Sequence, residues 1–133
     1  MKLHRFPKSE RLRSKKIIDS LFSPADKSLG GHVFLYPFKI FWLNPKEGNK
    51  LPFPQVIFSI PKRYFKKATA RNRLRRQIKE IYRTHKLALF HNKIVPFALG
   101  IVYIAKEKHD FSFMKKKLIQ ALEKIVEKTK DTP

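Results

Sequence analysis

Apolar positions in the first third of the chain predict one helix followed by extended structure. Residues 9–22 carry apolar side chains at helical spacing, with Ser9 as the predicted N-cap and Ser23-Pro24 as the stop signal. Residues 33–43 form an aromatic-rich run typical of β structure, in which Pro37 marks an edge or a bend. The spacing of apolar residues therefore changes from helical to extended soon after the first helix.

The rest of the chain repeats this change of spacing. A second extended run covers residues 55–60, a long helical stretch covers 69–90, and another strand is predicted over 95–105. Ser112 is predicted to cap a closing helix whose apolar positions continue to Val126. This order, α-β-β-β-α-β-α, predicts an α+β fold, a two-layer sandwich of one sheet against helices. Its strand–helix–strand unit would normally cross over in the right-handed sense.

The long helix is amphipathic, and its polar face is almost wholly cationic. At about 100° per residue, Ile78, Ile81 and His85 lie within about 40° of Leu74, which defines an apolar stripe. The side chains that share an arc away from this stripe are Asn72, Arg75, Arg76, Lys79 and Arg83, with Arg71 at its border and Arg73 beyond it. Of the neighbouring positions along the helix, only Glu80 offers compensation. We therefore expect this face to contact nucleic acid, because a solvated surface helix would carry more balanced charge.

The aromatic-rich run has two interpretations. Alternation places Phe38, Ile40 and Trp42 on one face of a strand, and Lys39 and Phe41 on the other. Most of these side chains are expected to be core. However, a lysine beside an aromatic ring also suits a single-stranded nucleic acid, since the ring stacks on a base and the cation contacts a phosphate.

The charge of the chain narrows the choice of partners. A net charge of +21 and a pI near 10.5 are extreme for 133 residues, and self-repulsion at this charge favours a polyanionic partner. A membrane surface could also supply anions, but no run of about eighteen apolar residues could span a bilayer. The chain has no cysteine, and its first residues lack the apolar segment of a signal peptide, so we expect cytoplasmic residence. The length suits one domain over residues 1–133, with a core at about 9–126 and frayed termini.

Two other functions stay open on the residues alone. The same basic helix would serve a ribosomal or ribosome-assembly protein that binds rRNA. A nuclease acting alone would need clustered carboxylates for Mg²⁺, yet the ten acidic residues are scattered and the five histidines lack ligand spacing. We therefore expect no catalytic residue and no metal site in the protein itself.

The basic helix opens with a motif that resembles a known family. Residues 68–76, Ala-Thr-Ala-Arg-Asn-Arg-Leu-Arg-Arg, closely resemble the Arg-Asn-Arg motif of the bacterial ribonuclease P protein family. The resemblance extends to Arg11-Leu12-Arg13 near the start, to Ser59-Ile60-Pro61-Lys62-Arg63 and to Tyr103-Ile104-Ala105-Lys106. It covers roughly residues 9–126 and is more specific than a bare Arg-Asn-Arg tripeptide, because the order of elements agrees as well.

This resemblance implies the RNA-binding subunit of a ribonucleoprotein. In the family, the protein assists a catalytic ribonuclease P RNA that removes the 5′ leader from precursor tRNA. The RNA performs the hydrolysis with Mg²⁺, which is held mainly by the RNA and not by a dedicated site of the protein. The resemblance also implies a left-handed crossover around the basic helix, against the general rule. It implies no membrane and no protein partner.

The resemblance also assigns individual residues by position. Those expected to bind RNA are Arg71, Asn72, Arg73, Arg75, Arg76, Lys79, Arg83, Lys62 and Arg63. Those expected to line a cleft for the leader are Ile18, Phe22, Lys39, Phe41 and Ser59. Lys39 stands where the family usually has an apolar residue, which favours contact with the RNA backbone over stacking on a base.

Overall fold

The computed structural model of the chain describes residues 6–23, 29–45 and 52–129, and its elements follow the predicted order. The elements are α1 (Lys15–Phe22), β1 (Gly30–Leu35), β2 (Phe38–Leu43), β3 (Gln55–Ser59), α2 (Ala68–Phe90), β4 (Ala98–Tyr103) and α3 (Phe111–Lys128). The α+β class and the order α-β-β-β-α-β-α are thus confirmed. None of the helices in the described ranges is both long and apolar enough to cross a lipid bilayer.

The four strands form one mixed sheet in the order β1-β2-β4-β3. β2 pairs antiparallel with both β1 and β4, while β3 pairs parallel with β4. A parallel pair requires a crossover connection, and α2 supplies it. Since β1 and β3 are the edges, the sheet keeps β2 and β4 at its centre.

One face of the sheet is closed by α2 and α3, and it carries the main core. As predicted, Phe38, Ile40 and Trp42 of β2 point to this side and are buried. α2 contributes the stripe of Leu74, Ile78 and Ile81. α3 contributes the predicted Met114, Leu118, Leu122 and Ile125, together with Ala121. Both long helices are therefore held by an apolar face that packs on the same side of the sheet.

The opposite face, here called the open face, carries a second and smaller core. Its buried members are Leu12, Leu21, Leu43 and Ala98, against which Ile17, Ile18, Phe22 and Phe41 pack. The helix on this side is α1, which has eight residues and packs on β2 and β4. The open face is therefore covered by a much shorter helix than the closed face.

The first helix begins later than predicted, and Ser9 is not its N-cap. Residues 8–10 form a short 3-10 turn, and the helix starts at Lys15 with Ser14 as the cap, whose hydroxyl accepts a hydrogen bond from the Ile17 amide at 3.4 Å. Between them, the Leu12 amide donates to the carbonyl of Val56 at 2.9 Å. This pairing with β3 keeps the segment extended, which the helical spacing of its apolar residues did not reveal.

Three further element bounds differ from the prediction. The run 33–43 is a hairpin of β1 and β2, which turns at Tyr36-Pro37, where the peptide bond is cis. The strand predicted over 95–105 is limited to β4, and Asp110 rather than Ser112 precedes α3. The predicted stop at Pro24 and the end of the tail, from residue 130, lie outside the described residues.

Lys86 is a buried cation that the sequence pattern did not predict. Its side chain is 1% exposed, and its Nζ lies 2.6 Å from Oε1 of Glu10 and 4.4 Å from the Phe53 ring centroid. The buried stripe of α2 therefore passes through Lys86, whereas His85, the predicted member, is only partly buried. Burial, assisted by the nearby Glu10 carboxylate, also raises the pKa of Tyr82 well above its usual value. The ion pair between Glu10 and Lys86 fastens the segment before α1 to α2.

We expect Glu10→Ala to lower the free energy of unfolding by about 3 kcal/mol, because it leaves the buried Lys86 ammonium without its carboxylate. Denaturant unfolding of the free protein measures this. Glu80→Ala is the matched control, since Glu80 pairs with Arg83 at the surface and its loss should change stability little. Equal effects of the two substitutions would contradict the structural role of the buried pair.

Candidate nucleic-acid interface

The buried stripe of α2 leaves its cationic side turned to solvent, as predicted. Asn72, Arg73 and Arg76 are exposed, whereas Arg71, Arg75, Lys79 and Arg83 are partly buried. We call these seven residues the basic face. They are held on one rigid helix of 23 residues, so their charges cannot move apart. Such a surface has the charge and the rigidity to bind a polyanion.

Arg71 has a structural role in addition to the predicted one. Its Nη1 donates to the carbonyl of Phe65 at 2.8 Å and to that of Lys66 at 3.0 Å. These bonds order the loop between β3 and α2, which carries the predicted Lys62 and Arg63. Arg71 therefore positions the basic loop as well as contributing charge.

One aromatic ring, that of Tyr64, lies beside a cation of this loop and a cation that follows β4. The guanidinium carbon of Arg63 lies 4.8 Å from the centroid of the Tyr64 ring, and Nζ of Lys106 lies 5.9 Å from the same ring. Lys106, which follows β4, is thereby brought to the loop that follows β3. The two strands are neighbours, so the basic loop and the end of β4 form one positive edge of the sheet.

The first turns of α2 form a shallow pocket with several donors. It is lined by Thr69, Asn72, Arg73 and Arg76. Nη1 of Arg75 donates to Oδ1 of Asn72 at 2.8 Å, which fixes the orientation of the amide. Hydroxyl, amide and guanidinium donors around one depression suit the oxygen atoms of a phosphate or a ribose.

The segment before α1 extends the basic face with a residue that the site prediction missed. Partial burial lowers the pKa of the Lys79 ammonium, and three neighbouring guanidinium groups lower it further, those of Arg11, Arg75 and Arg76. Both cations lie near the Phe6 ring, whose centroid is 5.9 Å from the guanidinium carbon of Arg11 and 5.8 Å from Nζ of Lys79. The family resemblance includes Arg11, but its place beside the basic face depends on the pairing of its segment with β3.

Arg83 is the member of the basic face whose charge is locally compensated. Its Nε donates to Oε2 of Glu80 at 3.0 Å, and a second nitrogen pairs with the other carboxylate oxygen. This hydrogen bonding lowers the pKa of Glu80 and raises that of Arg83. The strongest positive charge therefore lies toward the N-terminal half of α2.

On the open face, Phe22, Lys39 and Phe41 form a compact group, here called the aromatic platform. The rings of Phe22 and Phe41 meet edge to face, with centroids 4.9 Å apart, and Nζ of Lys39 lies 5.2 Å from the Phe41 centroid. Gly100 makes this approach possible, because a Cβ there would lie 2.8 Å from Cζ of Phe22. Three of the five residues predicted for the leader cleft are thus in contact.

The other two predicted cleft residues lie on the same face. Ile18 is partly buried and packs with α1 into the smaller core. Ser59 ends β3 and pairs with Val102 of β4, which in turn pairs with Lys39 of β2. Ser59 and Lys39 therefore project from the same face of the sheet. The structure therefore brings all five predicted cleft residues to the open face, while their role in binding stays a prediction.

Within the described ranges, no group of three or more His, Asp or Glu side chains is placed to hold a metal ion. Mg²⁺ prefers carboxylate and other oxygen ligands, so these residues do not fit a dedicated magnesium site. The guanidinium, ammonium and aromatic groups of the basic face and the aromatic platform have the chemistry that suits anions and aromatic bases.

Comparison with known proteins agrees with this geometry. A family model described as Ribonuclease P matches residues 6–129. The ribonuclease P protein component of Thermotoga maritima is 30% identical over 127 residues, covering 90% of this chain and 95% of that protein. The component from Blochmanniella floridana is 35% identical over 77 residues, which is 58% of each chain. The chain thus spans less than two thirds of the length of the latter relative.

Solved structures of similar proteins show the same fold. The ribonuclease P protein of Thermotoga maritima superposes with a TM-score of 0.67 at 22% identity, over 87% of this chain and 97% of that one. A ribonuclease P protein mutant from Staphylococcus aureus gives 0.66 at 19% identity, over 87% of both chains. The order of the elements and the left-handed crossover around α2, which the resemblance implied, are consistent with these structures. Because the family model covers nearly the whole chain, this protein belongs to the ribonuclease P protein family.

Proposed function

We propose that this chain is the RNA-binding protein subunit of ribonuclease P, which assists a catalytic RNA in removing the 5′ leader from precursor tRNA. The observation that carries the proposal is the basic face of α2, which includes the Arg-Asn-Arg motif at residues 71–73. In this proposal the endonuclease activity belongs to the ribonucleoprotein. The protein supplies affinity and positioning, and Mg²⁺ is held by the RNA.

The basic face is assigned to the catalytic RNA. Arg73 and Arg76 border the shallow pocket at the start of α2, and both are exposed. Cations fixed on a helix neutralise phosphates that would otherwise repel each other, so the RNA keeps a compact shape with less Mg²⁺. Arg71 orders the loop between β3 and α2, and this loop then determines where Lys62 and Arg63 contact the same RNA.

The open face is assigned to the single-stranded leader. The aromatic platform offers rings for bases and an ammonium group for a phosphate, which is the combination that single-stranded binding sites use. Binding the leader there adds interaction energy far from the bond that is cut. Such remote binding energy holds the substrate in position for the reaction.

The first test is cleavage of precursor tRNA at low Mg²⁺ with a bacterial ribonuclease P RNA alone, with the protein alone and with both. We expect correct 5′ maturation with both, and little with either alone. If the protein adds nothing to several such RNAs, an rRNA-binding function in the ribosome or its assembly becomes the better explanation. Cleavage by the protein alone would contradict the assignment of the chemistry to RNA.

We expect the double substitution Arg73→Ala/Arg76→Ala to weaken binding of the catalytic RNA at least about tenfold, because it removes two charged donors to phosphate. The slope of log affinity against log salt should fall by about two. Filter binding over a salt series measures both quantities. Lys115→Ala/Lys116→Ala is the matched control, since it removes the same charge from exposed positions of α3 and should change RNA affinity much less. Equal losses of RNA affinity in the two variants would indicate that the basic face contributes only non-specific charge, and would contradict a binding site at this face.

We expect Phe22→Ala to weaken binding of precursor tRNA to the reconstituted complex about fivefold or more, because it removes one ring of the platform. The same variant should bind leaderless tRNA like the wild type. Equilibrium binding of both substrates measures the difference. An equal loss on leaderless tRNA would instead indicate that Phe22 acts only by packing against Phe41.

A further inference from the structure

Phe34 is the large apolar side chain that the described part of the structure leaves most open to solvent, with 62% of its surface exposed. It lies on the edge strand β1, directly opposite Lys39 of β2. Residues paired in this way project their side chains from the same face of a sheet. Phe34 therefore lies on the open face, beside the aromatic platform.

Phe34 is the outer member of a row that crosses the open face. The register pairs it with Lys39, pairs Lys39 with Val102, and pairs Val102 with Ser59. Since neighbouring strands lie about 4.8 Å apart, the row spans roughly 14 Å from Ser59 to Phe34. At about 3.4 Å per stacked nucleotide, this distance accommodates about four nucleotides, and fewer when the strand is extended.

The row starts at the basic edge of the sheet. Lys62 and Arg63 follow Ser59 at the end of β3, and Lys106 follows the end of β4. An RNA strand that leaves the basic face at this edge meets Ser59 first and reaches Phe34 last. Phe34 is thus placed for a nucleotide farther from the basic face than those at the platform.

The Phe41 ring already has neighbours, whereas Phe34 presents an open ring. Phe22 meets Phe41 edge to face, Nζ of Lys39 lies 5.2 Å from its centroid, and the His32 ring is tilted at 5.8 Å. The partly buried Phe41 ring therefore offers less free surface to a base than the exposed Phe34 ring. Phe34 and Phe41 are diagonal neighbours on paired strands, and such positions lie about 7–8 Å apart.

We propose that Phe34 is a second stacking site for the leader, which holds a base upstream of the bases at the aromatic platform. Lys39 lies between Phe34 and Phe41 in the register and supplies the cation for the intervening phosphate. The inference rests on the proposed function, because it requires the leader to cross the open face. The net charge of +21 favours RNA over a second copy of this chain as the occupant.

The test is the affinity of the reconstituted ribonucleoprotein for precursor tRNAs whose leaders are lengthened one nucleotide at a time. Phe34→Ala should equal the wild type on short leaders and bind about fivefold to about a hundredfold more weakly once the leader reaches β1. Phe34→Trp, which keeps an aromatic surface, should retain the affinity. Phe111→Ala is the matched control, because it removes another exposed phenylalanine from α3, on the far side of the sheet.

The outcomes separate this inference from the proposed function. Equal affinities of the wild type and Phe34→Ala at every leader length would overturn the second stacking site. If Phe22→Ala still reduces affinity in a leader-dependent way, the proposed function stands without it. If the wild-type complex binds precursor tRNA and leaderless tRNA with equal affinity, leader binding itself is overturned. Self-association that Phe34→Ala abolishes, measured by sedimentation, would assign the ring to a second copy of the chain and also overturn the inference.

Discussion

The alternation of side chains along β2 is the constraint on which both the core and the candidate RNA surface depend. Phe38 and Ile40 are fully buried on the closed face, and they force Lys39 and Phe41 to the opposite side. A slip of one residue in the pairing would exchange the two sets and bury a lysine in the main core. The same apolar packing that stabilises the sheet therefore fixes the position of the aromatic platform.

The unequal lengths of the helices explain why one face of the sheet stays partly accessible to solvent, whereas the other is covered. α2 and α3 have 23 and 18 residues and extend roughly 34 and 27 Å, whereas α1 has eight residues and extends roughly 12 Å. The long helices cover the closed face completely enough to bury its row of aromatic and aliphatic side chains. The short helix covers only part of the open face, and Lys39, Phe34 and Ser59 keep part of their surface exposed.

Periodicity predicted the parts of this structure that depend on neighbours along the chain. It gave the order of elements, the two faces of β2, the apolar stripe at Leu74, Ile78 and Ile81, and the cationic side of α2. The family resemblance added the cleft residues, and the structure places all five on one face. Their binding role depends on an RNA partner and stays a prediction.

What the sequence did not predict depends on contacts between distant segments. The carboxylate of Glu10 neutralises Lys86 across 76 positions of the chain, so no local pattern shows that this lysine is buried. The extended path at Leu12 depends on a hydrogen bond to Val56 of β3, which overrides the helical spacing of its own segment. Phe34 could be placed in a row with Lys39 only after the hairpin turn at Pro37 was known, because the turn sets the register.

The crowding of like charges on α2 connects stability with binding. Partial burial and the neighbouring guanidinium groups lower the pKa of Lys79, which reflects the repulsion among the charges assembled there. The buried stripe of α2 nevertheless holds these charges together, and Arg71 turns part of its donor capacity inward to order the loop. A polyanion removes the repulsion and binds the folded protein, in which the charges are assembled, more strongly than the unfolded chain. In the proposed complex, RNA binding at this face therefore stabilises the fold by mass action.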